Sequence, residues 1–140
     1  MPPLPSTPTR CCRCVKVNCR KPPHTTTRTT NQVYFGGGTP SLVPPHLIST
    51  ILTTLRNTYG IDPNAEITLE ADPGTFDAAR LGAYMDVGIT RFSVGVQAFD
   101  DTLLEACGRA HGLAEVEAAL EALQVAGVAN WSMDLISGAC

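Results

Sequence analysis

The stretch VYFGGGTPSLVPP, residues 33–45, decides the fold. A β-branched and aromatic run, QVYF from Gln32, reads as a strand and meets three glycines. Pro44 and Pro45 then suit the start of a helix, where the N–H that proline lacks has no intrahelical partner anyway. The following segment, HLISTILTTLRNTYG, puts Leu47, Ile48, Ile51, Leu52 and Leu55 on one helical face, and Gly60 suits its end. Strand, bare loop and helix make one βα unit. Three successive glycines cost backbone entropy at each position, so they serve either a tight turn or the close approach of a ligand.

The same rhythm continues downstream. EITLEA, residues 66–71, alternates as a second strand and is broken by DPGT. Asp77 is a good N-cap for AARLGAYMDVG, with Leu81, Tyr84 and Met85 on the buried side and Gly88 at the end. TRFSVGVQ, from Thr90, reads as a third strand, and DDTLLEACG as a short helix from Asp100. LAEVEAALEALQVAG spaces Val116, Ala119, Leu120 and Leu123 for one helical face, ended by Gly127. NWSMDLI, residues 130–136, is a fourth strand. Connections of this length suit right-handed parallel crossovers. The expected fold class is α/β, a parallel sheet that is either open or part of a (β/α) barrel.

Upstream the composition changes. Residues 1–32 hold six prolines, seven threonines, six basic residues and no acid. Such a segment buries little apolar surface and is expected to be a disordered leader, with residues 33–140 as the folded domain. Its basic, hydroxyl-rich and acid-poor character also fits an organellar transit peptide, although its prolines oppose an amphipathic helix. From Asp62 onward the charge reverses, with all thirteen acids and only three arginines. No basic block of the nucleic-acid kind is present, and no apolar run approaches the roughly 20 residues of a membrane helix. An intracellular, cytoplasmic location is expected, with a mitochondrial or plastid one as the alternative.

Four of the six cysteines, Cys11, Cys12, Cys14 and Cys19, lie in that leader; Cys107 and Cys140 lie outside it. Without a secretory signal a disulfide framework is not expected. A single C-x-x-C, from Cys11 to Cys14, with no second ligand pair is weak evidence for metal, so no metal ligand is assigned.

Parallel α/β proteins take their ligands at the carboxyl ends of their strands. That rule collects Gly36, Gly37, Gly38 and Thr39 from the first strand, Glu70 and Asp72 from the second, Gln97 from the third and Asp134 from the fourth, with Arg109 in the loop before the longest helix. Singly, each has a plain structural reading: Glu70 as a solvated edge residue, Gln97 as a helix cap, Arg109 as a surface cation. Asp134 differs, because a carboxylate in the apolar SMDLI strand needs a partner. GGGTP is neither G-x-x-x-x-G-K-[ST] nor G-x-G-x-x-G, and no Ser-His-Asp arrangement is evident. His111, in the GRAHG loop, can approach the rim, but the favoured reading is a surface histidine. A bare loop, carboxylates, an amide and a guanidinium suit a zwitterionic, hydroxylated small molecule.

The motifs YFGGGTPSL, ITLEADPGT, RFSVGVQAFDD, CGRAH and NWSMDLISG occur in an order and spacing that resemble the radical S-adenosylmethionine (SAM) enzymes of the oxygen-independent coproporphyrinogen III oxidase group, and within it the haem chaperone (HemW) branch. The resemblance spans residues 33–138, about three quarters of the chain. It implies a partial TIM-like barrel with SAM across the strand ends. Gly37, Gly38 and Thr39 would line the pocket for the methionine end, and Glu70 would sit by the sugar and amino groups. Gln97, Arg109 and Asp134 match positions that contact the same ligand or a second copy. No catalytic residue is assigned. The implied cofactors are SAM, a [4Fe–4S] cluster in intact members, and haem in the chaperone branch; the implied activity is radical chemistry or haem delivery, with a cluster-less fragment that only binds SAM or haem, or has no function, as the alternative. The implied partner is thus a small molecule.

Two departures shape the expectation. The family's C-x-x-x-C-x-x-C motif is absent, because the leader cysteines have other intervals. The family also continues YGLP where this chain reads SGAC, so later barrel strands and a C-terminal domain are expected to be missing and the product to be truncated and marginally stable.

Overall fold

The computed structural model describes residues 16–20 and 29–137. They form a five-stranded sheet in the spatial order β1-β2-β3-β4-β5. The strands are β1 Lys16–Arg20, β2 Thr30–Gly36, β3 Ile61–Ala71, β4 Arg91–Gln97 and β5 Trp131–Leu135. Strands β2 to β5 pair in parallel, and β1 pairs antiparallel with β2. Helices α1 Pro45–Tyr59, α2 Ala78–Asp86, α3 Asp101–Ala106 and α4 Leu113–Val125 occupy the crossovers. The expected α/β class and its four parallel strands are present.

Strand alternation decides where the helices sit. Val33 and Phe35 on β2, Ile67 and Leu69 on β3, and Phe92, Val94 and Val96 on β4 join one apolar cluster. Ile48 and Leu52 of α1, Leu81 and Tyr84 of α2, Leu104 of α3, and Val116 and Leu123 of α4 complete it. The intervening positions are Gln32 and Tyr34, then Glu66, Thr68 and Glu70, then Arg91, Ser93, Gly95 and Gln97. A parallel sheet with helices on both faces reads as near-continuous apolar strands, whereas this alternation covers one face and leaves a polar one. That is the wall of a barrel, with a polar side facing its interior.

The helix boundaries follow the local chemistry. Pro44 and Pro45 stand at the start of α1. Gly60 ends that helix at φ 69°, a conformation that costs glycine little. Asp77 accepts the Arg80 N–H at 2.7 Å and caps α2 as expected, while α3 is capped by Asp100, which accepts the Leu103 N–H at 3.0 Å, and not by Gln97. Leu47, expected on the buried face of α1, is instead 46% exposed, since the helix turns only Ile48 and Leu52 fully inward.

The leader expectation needs correction at two places. Lys16–Arg20 forms a strand, and β2 begins at Thr30, so regular structure starts before residue 33. The backbone of β1 closes one edge of the sheet, from Lys16 opposite Gly36 to Arg20 opposite Gln32, a pairing that needs no apolar side chains. It also adds an antiparallel pair to a sheet expected to be parallel throughout. Cys11, Cys12 and Cys14 lie outside the described residues.

The loop after β2 is anchored by α2. Its short 3-10 turn, Pro40–Leu42, lies beneath Tyr84, a fully buried residue. The Tyr84 hydroxyl is 2.8 Å from the Ser41 carbonyl oxygen and 2.6 Å from that of Val43, and it accepts from Arg80 Nε at 3.2 Å. Arg80 Nε also donates to the Ser41 carbonyl at 3.0 Å. Ser41 Oγ in turn accepts the Asp72 N–H at 3.2 Å, which joins the ends of β2 and β3. Removing the hydroxyl with Tyr84→Phe leaves the Val43 carbonyl with only the 3.5 Å contact from Arg80 Nη2 and is expected to cost about 0.5–1.5 kcal/mol. Urea denaturation of the two chains measures this; an unchanged midpoint would show that the loop does not depend on α2.

Candidate functional site

The three glycines at the end of β2 have separate reasons. Gly37 and Gly38 adopt φ 81° and 64°, left-handed values that disfavour any residue with a Cβ. Gly36 is instead a steric requirement. A Cβ there would meet Tyr34 Cε1 at 2.6 Å and the Glu70 carboxyl carbon at 3.1 Å. Its absence lets two side chains of the open sheet face meet. Tyr34 Oη donates to Glu70 Oε1 at 2.6 Å, and the Gly37 N–H donates to Glu70 Oε2 at 2.9 Å. Glu70 thus receives a hydrogen bond on each oxygen and pins the glycine loop to β3.

Gly95 plays the same part on β4. A Cβ at that position would stand 3.0 Å from Asp72 Oδ1 and 3.2 Å from both Arg109 Nη2 and Gln97 Nε2. Three polar groups converge over bare backbone. Arg109 Nη2 donates to Asp72 Oδ1 at 2.7 Å and to the Gly95 carbonyl at 3.2 Å. Asp72 Oδ2 accepts from Thr39 Oγ1 at 3.3 Å. The loop that carries Arg109 is closed by Asp101 Oδ1, which accepts the Leu113 N–H at 2.7 Å, and by the Gly112 N–H on Glu115 Oε2 at 2.9 Å. His111 is buried on this loop, with Nε2 3.4 Å from the Val96 carbonyl oxygen. It therefore braces the end of β4, whereas the sequence favoured a surface position.

These groups border a cleft of about 210 Å³ at the carboxyl ends of the strands. Of the seven residues expected in a site, Gly38, Glu70, Gln97, Arg109 and Asp134 line it, joined by Asp72, Ser93 and Gly95. Gly37 stands behind the wall, bonded to Glu70. Thr39 lines an adjoining groove of about 430 Å³, which shares Asp72 and Arg109 with the cleft and includes Gly74, His111 and Glu115. Asp134, expected to need a partner in an apolar strand, is instead exposed at the sheet edge and accepts from Ser93 Oγ at 3.3 Å. Beside it Arg91 Nη2 donates to Ser132 Oγ at 2.8 Å. Tyr34, Ser93 and Gly95 were missed as site residues, although the alternation of β2 and β4 already put them on the open face.

Two features set the cleft apart from the rest of the surface. Gln97 is the one non-glycine residue with positive φ, 70°, among the described residues. Such strain is typical of positions where surrounding structure overrides local preference to aim a side chain. Arg109 Nε is buried without a hydrogen-bond partner, while 26% of the side chain stays exposed beside the cleft. The cleft volume lies below the roughly 300 Å³ at which pockets enclosing small ligands begin, so these residues form one wall of a site. Among the described residues no group of three or more His, Cys, Asp or Glu side chains is arranged to hold a metal ion.

The fold and this rim define a barrel-wall domain with a ligand cleft at its strand ends. The family model of the radical SAM superfamily matches residues 25–139, and the chain belongs to that superfamily. It is 51% identical over 106 residues to the "Heme chaperone HemW" of Synechocystis sp., which covers 76% of this chain and 26% of that protein. It is 36% identical over 111 residues to the Bos taurus protein named "Radical S-adenosyl methionine domain-containing protein 1, mitochondrial", covering 79% of this chain and 25% of the relative. Among solved structures, the coproporphyrinogen III oxidase HemN of Escherichia coli, titled a radical SAM enzyme, superposes with a TM-score of 0.69 at 30% identity, covering 79% of this chain and 26% of that one. The chain thus spans about a quarter of the length of these relatives. The expected likeness to the HemN and HemW group is borne out.

The Tyr34 phenol is pushed up from 10.0 to about 12 by burial first, then by its hydrogen bond to Glu70. Burial also raises Tyr84, against the lowering effect of Arg80. A raised folded pKa means that the native chain holds the proton more tightly. The resulting stability is full below the ordinary phenol pKa of about 10 and is lost as pH rises toward 12. A tyrosinate absorbance titration of the native chain is expected to show an ionisation at about 12 that Tyr34→Phe removes. Complete ionisation of every phenol near 10 would contradict the Tyr34–Glu70 contact.

Proposed function

We propose that the strand-end cleft binds S-adenosylmethionine, and that this chain is the SAM-binding portion of a protein of the HemW and HemN group acting in haem or porphyrin metabolism. The supporting observation is the convergence of Glu70, Asp72 and Asp134 with Arg109 over the bare backbone of Gly38 and Gly95. SAM carries a sulfonium, an ammonium, a carboxylate and ribose hydroxyls. Carboxylates accept from the ammonium and the hydroxyls and offset the sulfonium charge. The exposed part of the Arg109 guanidinium supplies a cationic donor suited to the ligand carboxylate. Gly37, Gly38 and Thr39 offer backbone and hydroxyl contacts at the methionine end, and Gln97 an amide.

The same charge argues against haem in this cleft. Haem propionates are anionic, and three carboxylates facing one guanidinium would repel them. Any haem carried by the full-length protein therefore binds elsewhere.

The [4Fe–4S] cluster of intact members supplies the electron that cleaves SAM, and the cysteines here do not fit it. Cys11, Cys12, Cys14 and Cys19 lack the C-x-x-x-C-x-x-C intervals, and Cys19 lies on β1 rather than in a loop at the rim. The proposal is therefore binding and orientation of the nucleoside, with no radical step assigned to this chain. No helix among the described residues is long and apolar enough to cross a membrane.

Isothermal titration with SAM is expected to show saturable binding, weakened about 10- to 100-fold by Arg109→Ala, the loss that follows from about 1.5–3 kcal/mol for a charged hydrogen bond. Absence of heat from the parent chain would overturn the proposal. Anaerobic treatment with iron and sulfide is expected to leave the chain colourless, and a brown protein would show that its cysteines do assemble a cluster.

A further inference from the structure

Tyr34 neither lines the cleft nor belongs to the apolar core, yet it makes one of the shortest side-chain contacts in the chain. It stands on the open face of β2, and its hydroxyl reaches Glu70 two positions along β3 from its register partner Thr68. Gly36 is bare where the ring passes. A phenol, a carboxylate and a backbone N–H thus form one chain from β2 through β3 and back to the glycine loop. From this geometry we propose that Tyr34 is a positioning residue for the cleft: its hydroxyl fixes the Glu70 carboxylate, and Glu70 fixes the left-handed backbone at Gly37.

The physical case is one of competing freedoms. Gly37 and Gly38 populate left- and right-handed backbone about equally when unrestrained. One N–H on a mobile glutamate would hold them weakly, because Glu loses side-chain entropy on being ordered. Tyr34 removes that cost in advance. Its ring has two torsions, packs where Gly36 leaves room, and holds Oε1 so that Oε2 stays on the Gly37 N–H. Each Glu70 oxygen keeps a second lone pair for a ligand. The phenol therefore decides which direction that lone pair faces.

This inference rests on reading the cleft as a SAM site, but its first test does not need the ligand. Amide exchange at Gly37, followed by NMR in the ligand-free chain, is expected to speed up about tenfold in Tyr34→Phe, the factor that corresponds to about 1.4 kcal/mol. Gly36→Ala is expected to do the same, since its Cβ would displace the ring from Glu70. The second test is a cycle of SAM affinities. Tyr34→Phe and Glu70→Gln are each expected to weaken binding several-fold, and the double variant no more than Glu70→Gln alone. Unchanged Gly37 exchange in both Tyr34→Phe and Gly36→Ala, or additive losses of affinity, would overturn the proposal. If the parent chain fails to bind SAM while Tyr34→Phe still frees the Gly37 amide, the SAM reading falls and the positioning role stands.

Discussion

One carboxylate joins the two halves of the rim. Glu70 projects from β3 toward the end of β2 and takes a hydrogen bond on each oxygen, from the Tyr34 hydroxyl and from the Gly37 N–H. Without it the glycine loop has no polar tie to the next strand at that point. A second tie lies farther along the same edge, where Asp72 receives Arg109 on one oxygen and Thr39 on the other. Glu70 lies on β3 and Asp72 follows its last residue, so this strand and its end form the spine to which the loops after β2 and α3 are fastened. The arrangement exists because the strands alternate. Helices cover the face of Val33, Ile67, Leu69 and Phe92, and the polar positions are left on the face that leads to the cleft.

The glycines divide by mechanism, and the division explains what the cleft can accept. Gly37 and Gly38 are needed for backbone conformation. Gly36 and Gly95 are needed for space, because polar side chains that converge from their own strand and its surroundings occupy the volume a Cβ would fill. The result is a surface where peptide groups, three carboxylates and a guanidinium lie open to a small molecule. A cationic, hydroxylated nucleoside matches that set better than a flat dianion does.

Much of this was legible in the sequence. Periodicity gave the helices and the four parallel strands, and the rule that ligands meet parallel sheets at strand ends brought Glu70, Gln97, Arg109 and Asp134 to one rim. Other features depend on contacts between residues more than thirty positions apart. The Tyr34–Glu70 bond and the Arg109–Asp72 pair are of this kind, and no local pattern encodes them. Gly95 carried no signal of its own inside the third strand, because its bareness matters only where Asp72, Gln97 and Arg109 converge over it. β1 escaped notice for a different reason. It pairs with β2 through the backbone, and its sequence KVNCR lies in a Pro/Thr-rich, basic segment whose composition read as a leader. At the other edge, β5 leaves Trp131, Leu135 and Ile136 partly or largely exposed. That surface agrees with a chain spanning a quarter of its relatives' length, and edges of this kind favour self-association.

The central claim is that the strand-end rim is a SAM-binding surface. Amide chemical-shift mapping of the labelled chain during SAM titration tests it most directly. The account predicts saturable shifts at Gly37, Gly38, Glu70, Ser93, Gln97, Arg109 and Asp134, with the buried face of α1 and α4 unmoved. Shifts confined to the helical face, or none at any SAM concentration, would contradict it.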